Sequence, residues 1–549
     1  MTTMRAHVSR IVPAFAALLL LATAPRAARL ALEAAGVADP PVFLTGDQCI
    51  ACHGQLVTPA GEDISIGFDW RASIMANSSR DPYWQAGVRR EIMDHPESSE
   101  LIQDECSRCH MPMSNELERR RGGHGRIFDH LPVSEPVTPL DTLAADGVSC
   151  SLCHQITADR LGTEESFTGG FVVDTTRAGE HGRIFGPFEI DTGRSTIMRS
   201  ATGFRPTAAA HIQTSEHCAT CHVLYTTALG PGGQIIARLP EQTPYQEWLN
   251  SAYRGVQTCQ DCHMPPVADS TAITAVLGQP RPDVSRHTFI GGNFFMLRML
   301  NRYRDELGVQ ALPQELDALT RATEEFLRTR TARIAVERAE VAGGRLDAVV
   351  AIENLTGHKL PTAYPSRRAW LHVAVYDRDG NRIFESGALR PDGSIAGNAN
   401  DDDPARYEPH HDLIDSADQV QVYESIMVDT AGAVTTGLLT GVRYIKDNRL
   451  LPHGFDKARA HEDIAVHGRA ADDAGFRAGA DRVRYRVELA GARGPFRVEA
   501  KLWYQPISFR WANNLRPYDA FETQRFVGYY DAMANVSAIV LAWASAVAR

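Results

Sequence analysis

Two hydrophobic periods divide the chain. Before Thr331 the apolar positions fall at helical spacing or form no regular pattern. Asp81 to Asp94 and Asn293 to Leu307 read as helices, the second crowded with Phe294, Phe295, Leu297, Met299 and Leu300 and stopped at Gly308. Pro313 opens an amphipathic helix with Leu316, Leu319 and Phe326 spaced for one face. After Thr331 the period becomes that of strands. Ile334–Val341, Gly343-Gly344 and Leu346–Ile352 predict a hairpin. Ala369–Tyr376 with Ile383–Ser386 predicts a second, and Val483–Leu489 with Phe496–Tyr504 a third. The pattern predicts an α+β chain: a mainly helical and loop domain over residues 40–310, a connecting helix over 311–331, and a β-sandwich-like domain over 332–549. Long loops such as Gly393 to Pro409 interrupt the sandwich, and the closing apolar stretch Val536 to Val547 is expected to be a packed helix.

The 549 residues suit two domains, and 44% hydrophobic with 22% charged residues suits a globular chain. A net charge of −11 gives nucleic acid no electrostatic support and favours a basic partner surface. Residues 1–35 read as an export signal or N-terminal membrane anchor. Arg5 and Arg10 precede the apolar Ile11 to Ala24, which is shorter than the about 20 residues a span requires. Ala22-Thr23-Ala24 has the form of a cleavage site, Pro25 disfavours it, and a cut near Ala35 is the alternative. The expected location is periplasmic, or extracellular on the outer surface.

All ten cysteines sit in five Cys-x-x-Cys-His units: Cys49/Cys52/His53, Cys106/Cys109/His110, Cys150/Cys153/His154, Cys218/Cys221/His222 and Cys259/Cys262/His263. At this composition chance supplies about 0.007 such units. Two thiols three residues apart reach both vinyl groups of one haem, and the next histidine becomes the iron's fifth ligand. Zinc sites would not require a histidine after every pair, and a disulfide framework would not repeat this step five times. The reading is five covalently attached haems c with their iron, crowded between Cys49 and His263. Few side chains are left to make a core there, so the cofactors must supply much of it. The β-domain has no cysteine.

The sixth ligands decide between closed, electron-carrying haems and an open, reactive one. His95, at a helix end, and His211, seven residues before Cys218, are expected to reach neighbouring haems. His287 stands before Gly291-Gly292, where the chain can pass a porphyrin closely. His358, in Asn354-Leu-Thr-Gly-His-Lys-Leu-Pro-Thr362, is expected to reach in from the β-domain, and His410 is the fifth candidate. His124-Gly-Arg-Ile-Phe128 recurs as His181-Gly-Arg-Ile-Phe185, by chance or as a shared haem-edge contact.

With these residues in hand, the chain resembles bacterial multihaem c-type cytochromes of the c-552/4 kind, related to the tetrahaem cytochrome of ammonia oxidisers. The resemblance rests on Trp70 to Met75, Asp81 to Trp84, Cys106 to Met113, Cys218 to Tyr225, Thr356 to Pro361 and Tyr444 to Pro452, and spans most of 45–545. It implies an electron carrier. The chain departs from pentahaem nitrite reductases, which use Cys-x-x-Cys-Lys at the catalytic haem, and from hydroxylamine oxidoreductases, which carry more haems and a cross-linking tyrosine. The leading expectation is an exported electron-transfer protein serving redox partner proteins, basic or membrane-bound. Two rivals stand beside it: an oxidoreductase acting on a small nitrogen or sulfur compound at a five-coordinate haem, and a docking subunit of a larger cytochrome assembly.

Overall fold

The computed structural model describes residues 42–174 and 182–549. The export-signal reading of residues 1–35 and the repeated His181 lie outside them. The protein is α+β: helices, loops and two small two-stranded sheets precede residue 331, and two larger facing sheets with a small three-stranded one follow it. Among the described residues no helix is long and apolar enough to cross a membrane.

Local chemistry sets the main helices. Pro82–Asp94 starts with proline at its first position, and the Asp81 carboxylate accepts from the Tyr83 and Trp84 amides at 2.8 and 3.1 Å. Asn293 caps Phe294–Arg302, a shorter helix than its pattern predicts. Pro313–Arg330 runs to the edge of the first sheet, and its Glu315 pairs with Arg71 (Nε to Oε2 2.8 Å).

One sheet contains Ala332–Ala342, Arg345–Asn354, Ala480–Glu488 and the short Leu413–Ile414. The other runs Val422–Tyr423, Arg368–Tyr376, Phe496–Gln505 and Ile539–Ala548, with Arg382–Ser386 also paired to Arg368–Tyr376. Two expectations need correction. The third predicted hairpin does not form: Ala480–Glu488 pairs with Arg345–Asn354, whereas Phe496–Gln505 pairs with Arg368–Tyr376, so the intervening turn crosses between sheets. The closing stretch is a strand, not a helix. Ile539 and Leu541 are buried, the register shifts opposite Leu502/Trp503, and beyond that shift Trp543, Ser545 and Val547 are exposed, so the stretch alternates as a strand whose facing switches at a bulge.

The large core lies between the sheets, with Val350, Ile352, Val483 and Tyr485 facing Val373, Val498 and Leu502. Phe294, Phe295, Met299 and Leu300 join it, so the helix predicted to close the first domain is anchored in the second. Each such fully buried side chain contributes roughly 1.5–3 kcal/mol. The first half has only small apolar clusters, such as Phe43, Met113, Val148, Leu152 and Val173, set around a large cavity.

Candidate functional site

In a helix, positions i, i+3 and i+4 share a face. The Cys-x-x-Cys-His units end four short helical segments, Gly46–His53, Ser99–His110, Ser215–His222 and Cys259–His263, and in the fifth His154 follows Cys150–Cys153. All ten thiols and five histidines therefore line one continuous cavity of about 1480 Å³. Its walls are largely apolar, including Ile66, Ile74, Val88, Ile102, Leu297 and Phe326. Thiols of different units meet within it: Cys49 with Cys150, Cys109 with Cys221, and Cys218 with Cys259, while Cys153 lies near Cys221.

Four of the five unit histidines have one nitrogen committed. His53 Nδ1 lies 2.6 Å from the Ile273 carbonyl, His110 Nδ1 3.1 Å from that of Ser78, and His154 Nδ1 2.6 Å from that of Phe185. His263 Nδ1 meets the Ile290 carbonyl. A carbonyl only accepts, so Nδ1 carries the proton and Nε2 keeps its lone pair for a metal. Burial also disfavours the charged imidazolium, pushing His110 and His222 down to about 4. Trp84, delivered by its capped helix, stacks on His110 with ring centres 4.4 Å apart.

Two unit histidines face a second imidazole. The ring centres of His154 and His287 are 6.3 Å apart with planes at 19°, and those of His263 and His358 are 6.3 Å apart at 13°. Two imidazoles gripping one metal from opposite sides would have centres ~6.2 Å apart, from ~2.0 Å metal–nitrogen bonds and ~1.1 Å from nitrogen to ring centre. His287 and His358 also donate Nδ1–H to carbonyls, those of Ser285 (3.1 Å) and Lys359 (2.9 Å), and both are half-buried at the cavity wall, where desolvation holds them neutral. His211 and His217 are likewise 6.3 Å apart, but neither belongs to a unit. Among the described residues, His53, His110 and His222 have no second imidazole at this spacing.

Three expected ligands are not delivered to the cavity. His95 ends its helix with Nε2 3.4 Å from the Thr440 hydroxyl, turned toward the β-half. His211 spends its Nε2 on the Ile156 carbonyl at 2.8 Å and does not line the cavity. His410 lies inside the β-half, where Nε2 meets Asp473 at 3.0 Å and Nδ1 accepts from Gln421 at 2.7 Å. Among the described residues the two copies of the pentapeptide differ: Ile184 and Phe185 line the cavity, and no residue of 124–128 does. Phe185 supplies the carbonyl that orients His154, whereas the Phe128 ring lies under the Arg89 guanidinium.

Sequence reasoning passed over two cavity residues. His217 is half-buried on the cavity wall with its Nδ1 buried and unpartnered, and desolvation pushes it down to about 3. Its only sequence signal is adjacency to Cys218. Arg367 projects from the loop that carries His358, with Nη1 on the Thr362 carbonyl at 3.2 Å and no carboxylate partner among the described residues. Its field reaches His222, His263 and His358. An unpaired cation in an apolar-walled cavity calls for an anion, and the propionate of a haem is one. The donor set, the neutral imidazoles and this cation fit haem.

No family model matches the chain, and no curated protein does. Among solved structures, it is similar to a penta-heme cytochrome c552 from Thermochromatium tepidum, with a TM-score of 0.50 and 14% identity over 93% of this chain and 100% of that one. At that identity the likeness speaks to architecture, and the chain has the fold of a multihaem c-type cytochrome.

Proposed function

We propose that the chain is an exported pentahaem c-type cytochrome that passes electrons between redox partner proteins along closely spaced haems. The observation that carries this reading is the convergence of all five Cys-x-x-Cys-His units on one cavity, with two of their histidines facing a second imidazole at 6.3 Å. Haem held there supplies a one-electron iron couple. The chain's residues do the rest. The ten thiols would fix the haem's position, His53, His110, His154, His222 and His263 would each hold one iron, and His287 and His358 would complete two of the sites. Arg367 neutralises propionate charge. The thiol contacts support a branched order, with the first unit on the third, the third on the fourth, and the second and fifth both on the fourth. The net charge of −11 supports a partner with a basic surface.

A second reading has its own observation. His53, His110 and His222 lack a facing imidazole among the described residues, which supports a small nitrogen or sulfur compound binding at one of those irons. Haem counting by mass and the visible and EPR spectra of the purified chain test both readings. Five attached haems, all low-spin and unmoved by cyanide, nitrite or hydroxylamine, are expected of a carrier. A high-spin fraction that binds such ligands selects the second reading, and a chain of apoprotein mass refutes both.

A further inference from the structure

We infer that Glu247 is a positioning residue for the fifth unit: a carboxylate of the haem-binding half that holds the β-half's His358 opposite His263. This rests on His358 being the second ligand there. Glu247 sits in the short helix Pro244–Leu249 between the fourth and fifth units, and its side chain is 0% exposed. Its grip is on the other half of the protein. Oε2 accepts from the Lys359 amide at 3.0 Å and from the Thr362 hydroxyl at 2.5 Å, and Oε1 lies 3.1 Å from Arg449 Nη1 as an ion pair without a directed hydrogen bond.

Lys359 connects this grip to the ligand. Its amide is held by Glu247, its carbonyl accepts from His358 Nδ1 at 2.9 Å, and its ammonium reaches Asp447 at 2.6 Å. Asp447 in turn accepts from Arg449 Nε and Nη2 at 2.9 and 2.7 Å. Two cations and two anions thus form a neutral, buried cluster directly behind the imidazole. Asn354 and Thr356 hold the His358 carbonyl from the β-half side, at 2.9 and 2.8 Å, and the Tyr253 hydroxyl holds the Leu355 carbonyl. Among these groups Glu247 is the one charge contributed by the haem-binding half. Without it, Arg449 and Lys359 share a single carboxylate, and the peptide that orients His358 loses its partner across the domain boundary.

The test uses the full, haem-loaded chain. Glu247→Ala is expected to keep its haem content while about one haem in five turns from low-spin to high-spin, and added imidazole restores the low-spin spectrum. Glu247→Gln keeps the volume and one acceptor, and is expected to lose part of the same signal should the alanine variant fail to mature. His358→Ala gives the same spectrum, and Glu247→Ala adds nothing to it in the double variant. Glu408→Gln, at another buried carboxylate, beside His411, leaves the spectrum unchanged. Wild-type spectra in the mature glutamate variants overturn the positioning role. A His358→Ala variant that keeps five haems and a wild-type spectrum overturns the ligand reading instead.

Discussion

Replacing Asp447 with asparagine removes one charge from a cluster in which every member is buried. The Asp447 and Lys359 side chains are 3% and 0% exposed, and that of Arg449 is 9%. The variant keeps both cations buried against Glu247 alone, and stranding buried charge in this way costs ~3–5 kcal/mol. At about 1.4 kcal/mol per factor of ten, the ratio of folded to unfolded β-half falls by roughly two to four powers of ten. Two neighbouring cations hold the Asp447 carboxyl well below the usual carboxylate range. A depressed acid contributes stability that is complete above its unfolded value, about 3.9, and is lost as pH falls toward the folded one. Urea titration followed by circular dichroism should therefore show a lower midpoint for Asp447→Asn at pH 7, with the gap to wild type closing only below about pH 4. Equal midpoints at pH 7 would refute the assignment of stability to this cluster, and so would a gap that widens in acid.

His287→Ala is expected to open the third unit's iron, giving a ligand-binding high-spin signal with unchanged haem content; an unaltered EPR spectrum counts against the pairing with His154. Arg367→Gln should lower the midpoint potential of at least one haem, because a cation near the site favours the added electron, and spectropotentiometry at fixed pH reads this directly. Glu241, buried beside the second unit and hydrogen-bonded to Thr226, is pushed up to about 7 by desolvation. A raised acid costs stability as pH climbs from about 4.5 to 7, by on the order of 3 kcal/mol, so Glu241→Gln should flatten the rise in wild-type urea midpoint on acidification through that window. Parallel pH profiles for the two proteins would show that the group titrates normally.

The parts legible in the sequence were those that local chemistry fixes. A hairpin such as Ala332–Ala342 with Arg345–Asn354 follows from alternation around Gly343-Gly344. The cysteine units need only helical periodicity to present two thiols and a histidine together. What stayed hidden was which sheet a strand joins and which way a lone histidine turns. Phe496–Gln505 reads as the partner of the strand before it, yet the core between the sheets draws it to Arg368–Tyr376. In sequence His95 and His211 look as plausible as His287 and His358, with His410 a weaker fifth, because a histidine's role is set by the acceptor that claims its nitrogens. Thr440, Ile156 and Asp473 are all distant in sequence from the histidines they engage.

This division has a physical root. The β-half gathers most of its apolar positions in one large core between its sheets, which Phe294, Phe295, Met299 and Leu300 of the first half join. Much of the first half is arranged differently, with its apolar side chains in small clusters around the walls of the cavity. Burial of those walls, worth ~25 cal/mol per Å² of apolar surface, has to come from something the sequence does not encode as side chains. On the haem reading, cofactor attachment and folding of this half are therefore one event. The β-half, reaching in with His358 and Arg367, completes a core that neither half can fill alone.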